Sequence, residues 1–275
     1  MKPDFLVIGA MKCGTSTVCA YLEDHPGVFM VPGREPNFFS VDARFAEGPA
    51  AYEALFDGAA PGQLRGEGSN TYASGPPYEA APARIHAYAP EMRLIYMVRH
   101  PVKRILSSWI QKRVDKGDEM SADVDAAIDA HFDAVVAPSF YWRNLQAYRA
   151  LFPDAQIFVG FMEDMAADRD AFFARLTDFL GLPPAPPRRP HANPSAAKRV
   201  PGRTYSAINA LPFGAAAKRL VPAGLRRAVK DRLLSVPGDA PRMRPETRAR
   251  LAGMLRADTE AFLRHTGRPA DFWDL

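Results

Sequence analysis

Cysteine is almost missing: Cys13 and Cys19, six positions apart, are the only two in 275 residues. That count excludes a disulfide framework and a cysteine-rich zinc site. No compact grouping of histidines and carboxylates has metal-ligand spacing either, so no metal is expected. Apolar runs of membrane length are absent, and no basic start leads into a secretion-type apolar stretch. A cytoplasmic location with no integral membrane segment is the default expectation. Neither sign of charge dominates, with 35 Lys and Arg against 31 Asp and Glu for a net +4. A balance this mild helps to hold a polyanionic small ligand and does not call for nucleic acid. No internal repeat is visible.

What is present describes an ordinary globular chain, 47% hydrophobic and 24% charged. Its length allows one substantial core, and we expect a single domain over residues 1–275. A proline-rich and basic loop at about 183–203 interrupts it. The first twenty-five residues organise the rest. A short apolar run ends at Gly9, and Ala10, Met11, Lys12, Cys13 and Gly14 form a turn. Thr15, Ser16 and Thr17 then open a stretch with helical spacing through Val18, Tyr21 and Leu22. A strand, a tight turn and a helix direct free backbone N–H groups at an anion. Lys12 adds a mobile positive charge, and the three hydroxyls cap the helix or donate to phosphate oxygens. The triphosphate-binding pattern G-x-x-x-x-G-K-[ST] is not met, because Lys12 lies inside the loop and Thr15 directly follows Gly14. A plain strand-to-helix junction remains the bland alternative.

Further strands are expected at 28–31, 63–67, 93–98 and 155–160, separated by stretches of helical spacing. Pro101 and Pro245 suit the first position of a helix. Helices are expected over 123–136, after Glu163 and Asp164 through Leu180, at 215–234 and from 246 to 265, with residues 111–120 as a solvated extension or lid. The repeated βα order predicts an α/β fold, a P-loop-like three-layer sandwich. Its central sheet is mostly parallel, and its C-terminal part is a helical cover. Sites in such folds lie beyond the carboxyl ends of the strands. Lys12, Glu35 and Arg99 all fall at such ends, and the basic loop at 198–203 is a candidate flap. Pro36 holds Glu35 away from helical dihedrals, while Phe38 and Phe39 supply an aromatic wall. Together they suggest transfer of an anionic group from a nucleotide, with Glu35 deprotonating the acceptor. Glu35 as one half of a solvated Arg34–Glu35 pair, and Arg99 as a packed ion-pair partner, are the bland alternatives. His25 reads as helix termination, His191 as a loop residue and His100 as structural before catalytic.

Three segments carry a resemblance. Lys12, Cys13, Gly14, Thr15, Ser16 and Thr17 resemble the 5′-phosphosulfate loop of sulfotransferases that use 3′-phosphoadenosine 5′-phosphosulfate (PAPS). Arg99, His100, Pro101, Val102, Lys103 and Arg104, followed by Ser107, resemble the family's 3′-phosphate region. Arg34, Glu35, Pro36, Asn37, Phe38 and Phe39 resemble its basic-Glu-x-x-Phe-Phe segment. Similarity continues through Glu163, Asp164 and Met165 and through Phe179, Gly181 and Leu182, up to about residue 203. The likeness is to a cytoplasmic bacterial member of the heparan-sulfate-sulfotransferase-like branch.

The resemblance implies transfer of a sulfonate from PAPS to a hydroxyl of a carbohydrate or small-molecule metabolite. The nucleotide leaves as 3′-phosphoadenosine 5′-phosphate (PAP), and no metal is required. Lys12 would balance charge at the bridging oxygen and sulfonate. The loop amides with Thr15, Ser16 and Thr17 would hold the 5′-phosphate. Arg99 and Ser107 would bind the 3′-phosphate, and Glu35 would be the proton acceptor. Lys198, Arg199, Gly202 and Arg203 would form a loop over the nucleotide. One departure stands out: related heparan enzymes often carry a lysine after the glutamate of the Glu67, Gly68, Ser69 segment, where this chain has Gly68. The alternatives to this reading are an ATP-dependent kinase-like phosphotransferase and an inactive nucleotide-binding interaction protein.

Overall fold

The structure, a computed structural model, describes residues 1–32, 35–116, 120–121, 123–185 and 243–275. Arg34, Lys198, Arg199, Gly202 and Arg203 lie outside the described residues. So do the loop beyond residue 185 and the helix expected at 215–234.

Five parallel strands form the sheet, in the order β2-β3-β1-β4-β5. They are β1 (Phe5–Gly9), β2 (Val28–Met30), β3 (Leu64–Gly68), β4 (Arg93–Val98) and β5 (Ile157–Phe161). Both β1 and β4 are apolar runs buried on both faces, which is what a central parallel strand requires. The register pairs Phe5 with Gly66 on one side of β1 and with Arg93 on the other. From β1 the chain crosses through helix α1 (Thr15–Asp24) toward β2, and from β4 it crosses the other way toward β5. Connections that diverge from adjacent strands open a crevice at their carboxyl ends. Here that crevice lies beyond Gly9 and Val98, and the Ala10 amide ties its two sides by donating to the Met97 carbonyl at 2.8 Å.

Short helices α2 (Asp42–Phe45), α3 (Pro49–Glu53) and α4 (Ala81–Tyr88) follow the connections around β3. Helix α5 (Pro101–Lys116) begins at the expected proline but runs on through Lys116. The expected solvated extension is therefore helical over its first six residues, and Met120 at its end is buried. The single helix expected over 123–136 is two, α6 (Val124–Ala130) and α7 (Phe132–Val135), because His131 leaves helical dihedrals. Asp123 starts the first by accepting from the Asp125 amide at 2.9 Å.

Helix α8 (Tyr141–Arg149) precedes β5, and two helices follow it, α9 (Met162–Ala167) and α10 (Arg169–Leu180). Asp168 separates these two, extended itself and capping α10 through the Ala171 amide at 3.0 Å. The long α11 (Pro245–His265) covers the end of the chain. Its Leu251 and Leu255 enter a satellite core with Ile105, Trp109 and Ile128, while Phe262 and Leu263 join the main core. Asp258 fastens α11 to α8 by accepting from the Trp142 and Arg143 amides at 3.0 and 2.9 Å. No described helix is long and apolar enough to cross a membrane.

Candidate active site

The turn between β1 and α1 is held in an unusual shape. Gly14, the residue before the helix, has φ 86, and Lys12 has φ 73. A side chain at position 14 would strain the backbone and would also meet the Met165 Cε at 2.7 Å. Gly14 gives its carbonyl to the Thr17 and Val18 amides at 2.9 and 3.1 Å, which starts the helix. The first N–H groups of a helix have no partner within it, so the amides at the start of α1 face the turn. Thr15 is buried, Ser16 exposed and Thr17 half-buried.

Cys13 turns inward. Its amide donates to the Ala10 carbonyl at 3.2 Å, and its sulfur lies 3.6 Å from the Tyr141 hydroxyl. Burial pushes its thiol up to about 11, so it is a packing group of the turn. Lys12 donates to Gln111 of α5 at 3.4 Å.

Across the crevice, Arg99 follows β4 and donates to the Lys12 carbonyl at 3.2 Å. Tyr141 in turn donates to the Arg99 carbonyl at 2.8 Å. Ser107 is half-buried on α5. Beneath the turn lies a residue whose position the sequence does not signal: Arg104, fully buried on α5. It donates to the Met11 carbonyl at 3.4 Å, to the Ser139 hydroxyl at 2.5 Å and to the Val135 carbonyl. One guanidinium thus braces the turn against two other segments. His100 is also buried. Its amide donates to Glu163 at 2.8 Å, and its ring joins Asp274 at 2.9 Å. Burial lowers its pKa, and the contacts are those of a structural residue. His25 ends α1 as expected: its Nδ1 accepts from the Gly27 amide at 3.0 Å, leaving Nε2 to donate to the Pro183 carbonyl at 2.9 Å.

On the other side of the turn, Glu35 stands exposed after β2. The Asn70 amide side chain donates to its Oε1 at 2.5 Å. Behind it, Asn37 donates its backbone N–H to the Ser69 hydroxyl at 2.9 Å, and Ser69 donates to Glu67 at 2.8 Å. Glu67 is fully buried at the end of β3 and also accepts from Tyr72 at 2.7 Å and Tyr52 at 3.2 Å. Loss of hydration raises its pKa to about 7, against the pull of those three hydroxyl donors. The loop carrying Glu35 is thereby anchored to the core.

Two clefts meet at Glu35. The larger, about 300 Å³, is bounded by Thr15, Ser16, Cys19, Gly68 and Asn70. The smaller, about 220 Å³, is walled by Phe38, Tyr52 and Leu55. Both share Val31 and Glu35. The larger cleft thus joins Glu35 to the first turn of α1, whereas Lys12, Cys13, Arg99 and Ser107 lie outside its lining. Gly68 has a steric reason: a Cβ there would lie 2.7 Å from the Cys19 sulfur. Cys19 occupies the space a larger residue at 68 would enter.

The sequence profile of the sulfotransferase domain family matches residues 2–198. Heparan sulfate glucosamine 3-O-sulfotransferase 3B1 of Mus musculus is 31% identical over 187 residues, covering 66% of this chain and 46% of that protein. The 3B1 enzyme of Homo sapiens is 30% identical over 187 residues, again covering 66% of this chain and 46% of its own length. The chain spans about half the length of the curated relatives it matches. Among solved structures, a sulfotransferase from Alicyclobacillus acidocaldarius superposes with a TM-score of 0.67 at 21% identity, covering 98% of this chain and 97% of that one. A mouse sulfotransferase complexed with PAP gives a TM-score of 0.53 at 16% identity, covering 94% and 84%. These likenesses show the fold, and the profile match, which spans well over half of the sequence, shows the lineage. The chain belongs to the sulfotransferase domain family.

Proposed function

We propose that this chain transfers a sulfonate group from PAPS to a hydroxyl and releases PAP. The observation that supports the reading is that Arg99 and Glu35 flank the β1–α1 turn on opposite sides. Arg99 and Ser107 take the 3′-phosphate. The α1 amides with Thr15, Ser16 and Thr17 take the 5′-phosphate. Lys12 meets the bridging oxygen, and its ammonium balances the charge that gathers there as the sulfur–oxygen bond breaks. Glu35 accepts the acceptor's hydroxyl proton while the hydroxyl oxygen bonds to sulfur, and Asn70 fixes the carboxylate's orientation. The bridging oxygen stays with the departing phosphate, so no further reactant is needed. The curated relatives support assignment to the heparan-sulfate-sulfotransferase-like branch, from which Gly68 departs.

Product formation tests the reading. Incubation with PAPS and a panel of hydroxyl compounds is expected to give a sulfonated product and stoichiometric PAP. Phosphorylated product from ATP in the same panel, with none from PAPS, would overturn it.

A further inference from the structure

The acceptor can be argued from the two clefts that share Glu35. The smaller is apolar at its wall: Phe38 stacks on Tyr52 with ring centroids 4.4 Å apart and planes 6° from parallel. Leu55 completes that wall and is 41% exposed, so an apolar side chain faces the cleft while still in contact with solvent. Its volume of about 220 Å³ falls below the roughly 300–1,000 Å³ of sites for drug-sized ligands. A single ring with a short side chain suits that space.

Charge narrows the class further. Among the described residues lining the smaller cleft, the charged groups are Glu35, Glu47 and Arg44. Arg44 is already paired with Glu47 at 3.2 Å. A sulfated or carboxylated polysaccharide is bound through arginines and lysines, and bidentate arginine is favoured where such anions are recognised. This lining offers the reverse. Gly68 and Cys19 pack against each other, a Cβ at 68 lying 2.7 Å from the Cys19 sulfur, so no cation enters from that position.

We propose that the acceptor is a small hydroxyl compound with an apolar body and no negative charge. Its ring lies against Phe38, Tyr52 and Leu55, and its hydroxyl is presented to Glu35. This rests on the sulfonate-transfer reading, and the experiment separates the two. PAP binding is measured first by calorimetry. Transfer from PAPS is then followed to three probes: 4-propylphenol, 3-(4-hydroxyphenyl)propanoate, which places a carboxylate on the same ring, and a heparan sulfate hexasaccharide. The expected result is a kcat/KM at least about ten-fold higher for 4-propylphenol than for its carboxylate analogue, the equivalent of ~1.4 kcal/mol, and no transfer to the hexasaccharide.

Leu55→Asp places a charge on the apolar wall at an exposed position. It is expected to lower kcat/KM for 4-propylphenol about ten-fold, again ~1.4 kcal/mol, and to leave PAP affinity unchanged. Equal rates for the two phenols, faster transfer to the hexasaccharide, no transfer to any probe, or full activity of Leu55→Asp would each overturn the acceptor class, while PAP binding keeps the nucleotide site and sulfonated product from the wider hydroxyl panel keeps the transfer reading. Failure to bind PAP would overturn both.

Discussion

The two flanks of the β1–α1 turn are built differently. On the Arg99 side, a fully buried guanidinium, the Tyr141 hydroxyl and the Lys12 carbonyl lock three chain segments together. On the Glu35 side, one carboxylate stands in solvent between two clefts, steadied by Asn70. A polar network that is fully satisfied in the interior is rigid. An open cleft lets small side chains on its rim decide what enters. Gly68 and Leu55 line the clefts of the open flank, where the proposed acceptor would enter, while Arg104 and Tyr141 are in neither lining.

Substitutions sharpen the contrast, beginning with the largest effect. Glu35→Gln is expected to lower kcat by about 10²–10⁴-fold, the usual contribution of a general base, with PAP affinity kept. Wild-type turnover in that variant would remove Glu35 from the chemistry. Arg104→Met acts on the opposite flank and on folding. It takes the donor from the buried Val135 carbonyl, at ~1–3 kcal/mol, and from the part-buried Met11 carbonyl, which keeps only the Cys13 thiol at 3.9 Å, so denaturant unfolding is expected to show a loss of about 2–4 kcal/mol. An unchanged denaturation midpoint would show that the brace is dispensable.

Asn70 should matter less. Asn70→Ala removes one hydrogen bond of ~1 kcal/mol and is expected to reduce kcat/KM about five-fold with the donor KM unchanged. Asn70→Asp should be worse, since it sets a second carboxylate against Glu35. The same modest loss in both would reduce Asn70 to a packing role.

The last effect is read against pH rather than from activity. Glu67 has a folded pKa of about 7, raised from an ordinary value of 4.5. The folded state therefore binds the proton more tightly than the unfolded chain. Its contribution to stability is complete below pH 4.5 and is lost as pH rises toward 7. Glu67→Gln has no such titration, so its stability relative to the parent should rise across that window. A constant difference between the two proteins would place the Glu67 pKa elsewhere.

How much of this the residues announced depends on how local each signal is. Both β1 and β4 are legible because four or five consecutive apolar residues, Phe5–Ile8 and Leu94–Val98, bounded by turns or charge have few other uses. Gly14 and Pro101 mark helix starts through their own backbone limits. The break at His131 was not legible, because nothing in 123–136 but the tertiary packing interrupts its helical spacing. Arg104 reads as one more charge in a basic stretch. Its burial depends on Met11, 93 positions away, and on Val135 and Ser139, 31 and 35 positions away. Glu67 is likewise hidden: Ser69 and Tyr72 are near it in sequence, but Tyr52 completes the cluster only once the sheet has formed. Asn70 carries no sequence mark that pairs it with Glu35.

Calorimetric titration with PAP, of the parent and of Arg99→Ala, tests the central placement most directly. The account predicts that PAP binds the parent more tightly than ATP does. It also predicts that the substitution weakens PAP about 10–100-fold, the ~1.5–3 kcal/mol of a hydrogen bond to a charged group. Equal PAP affinity in the two proteins, or a preference for ATP, would contradict it.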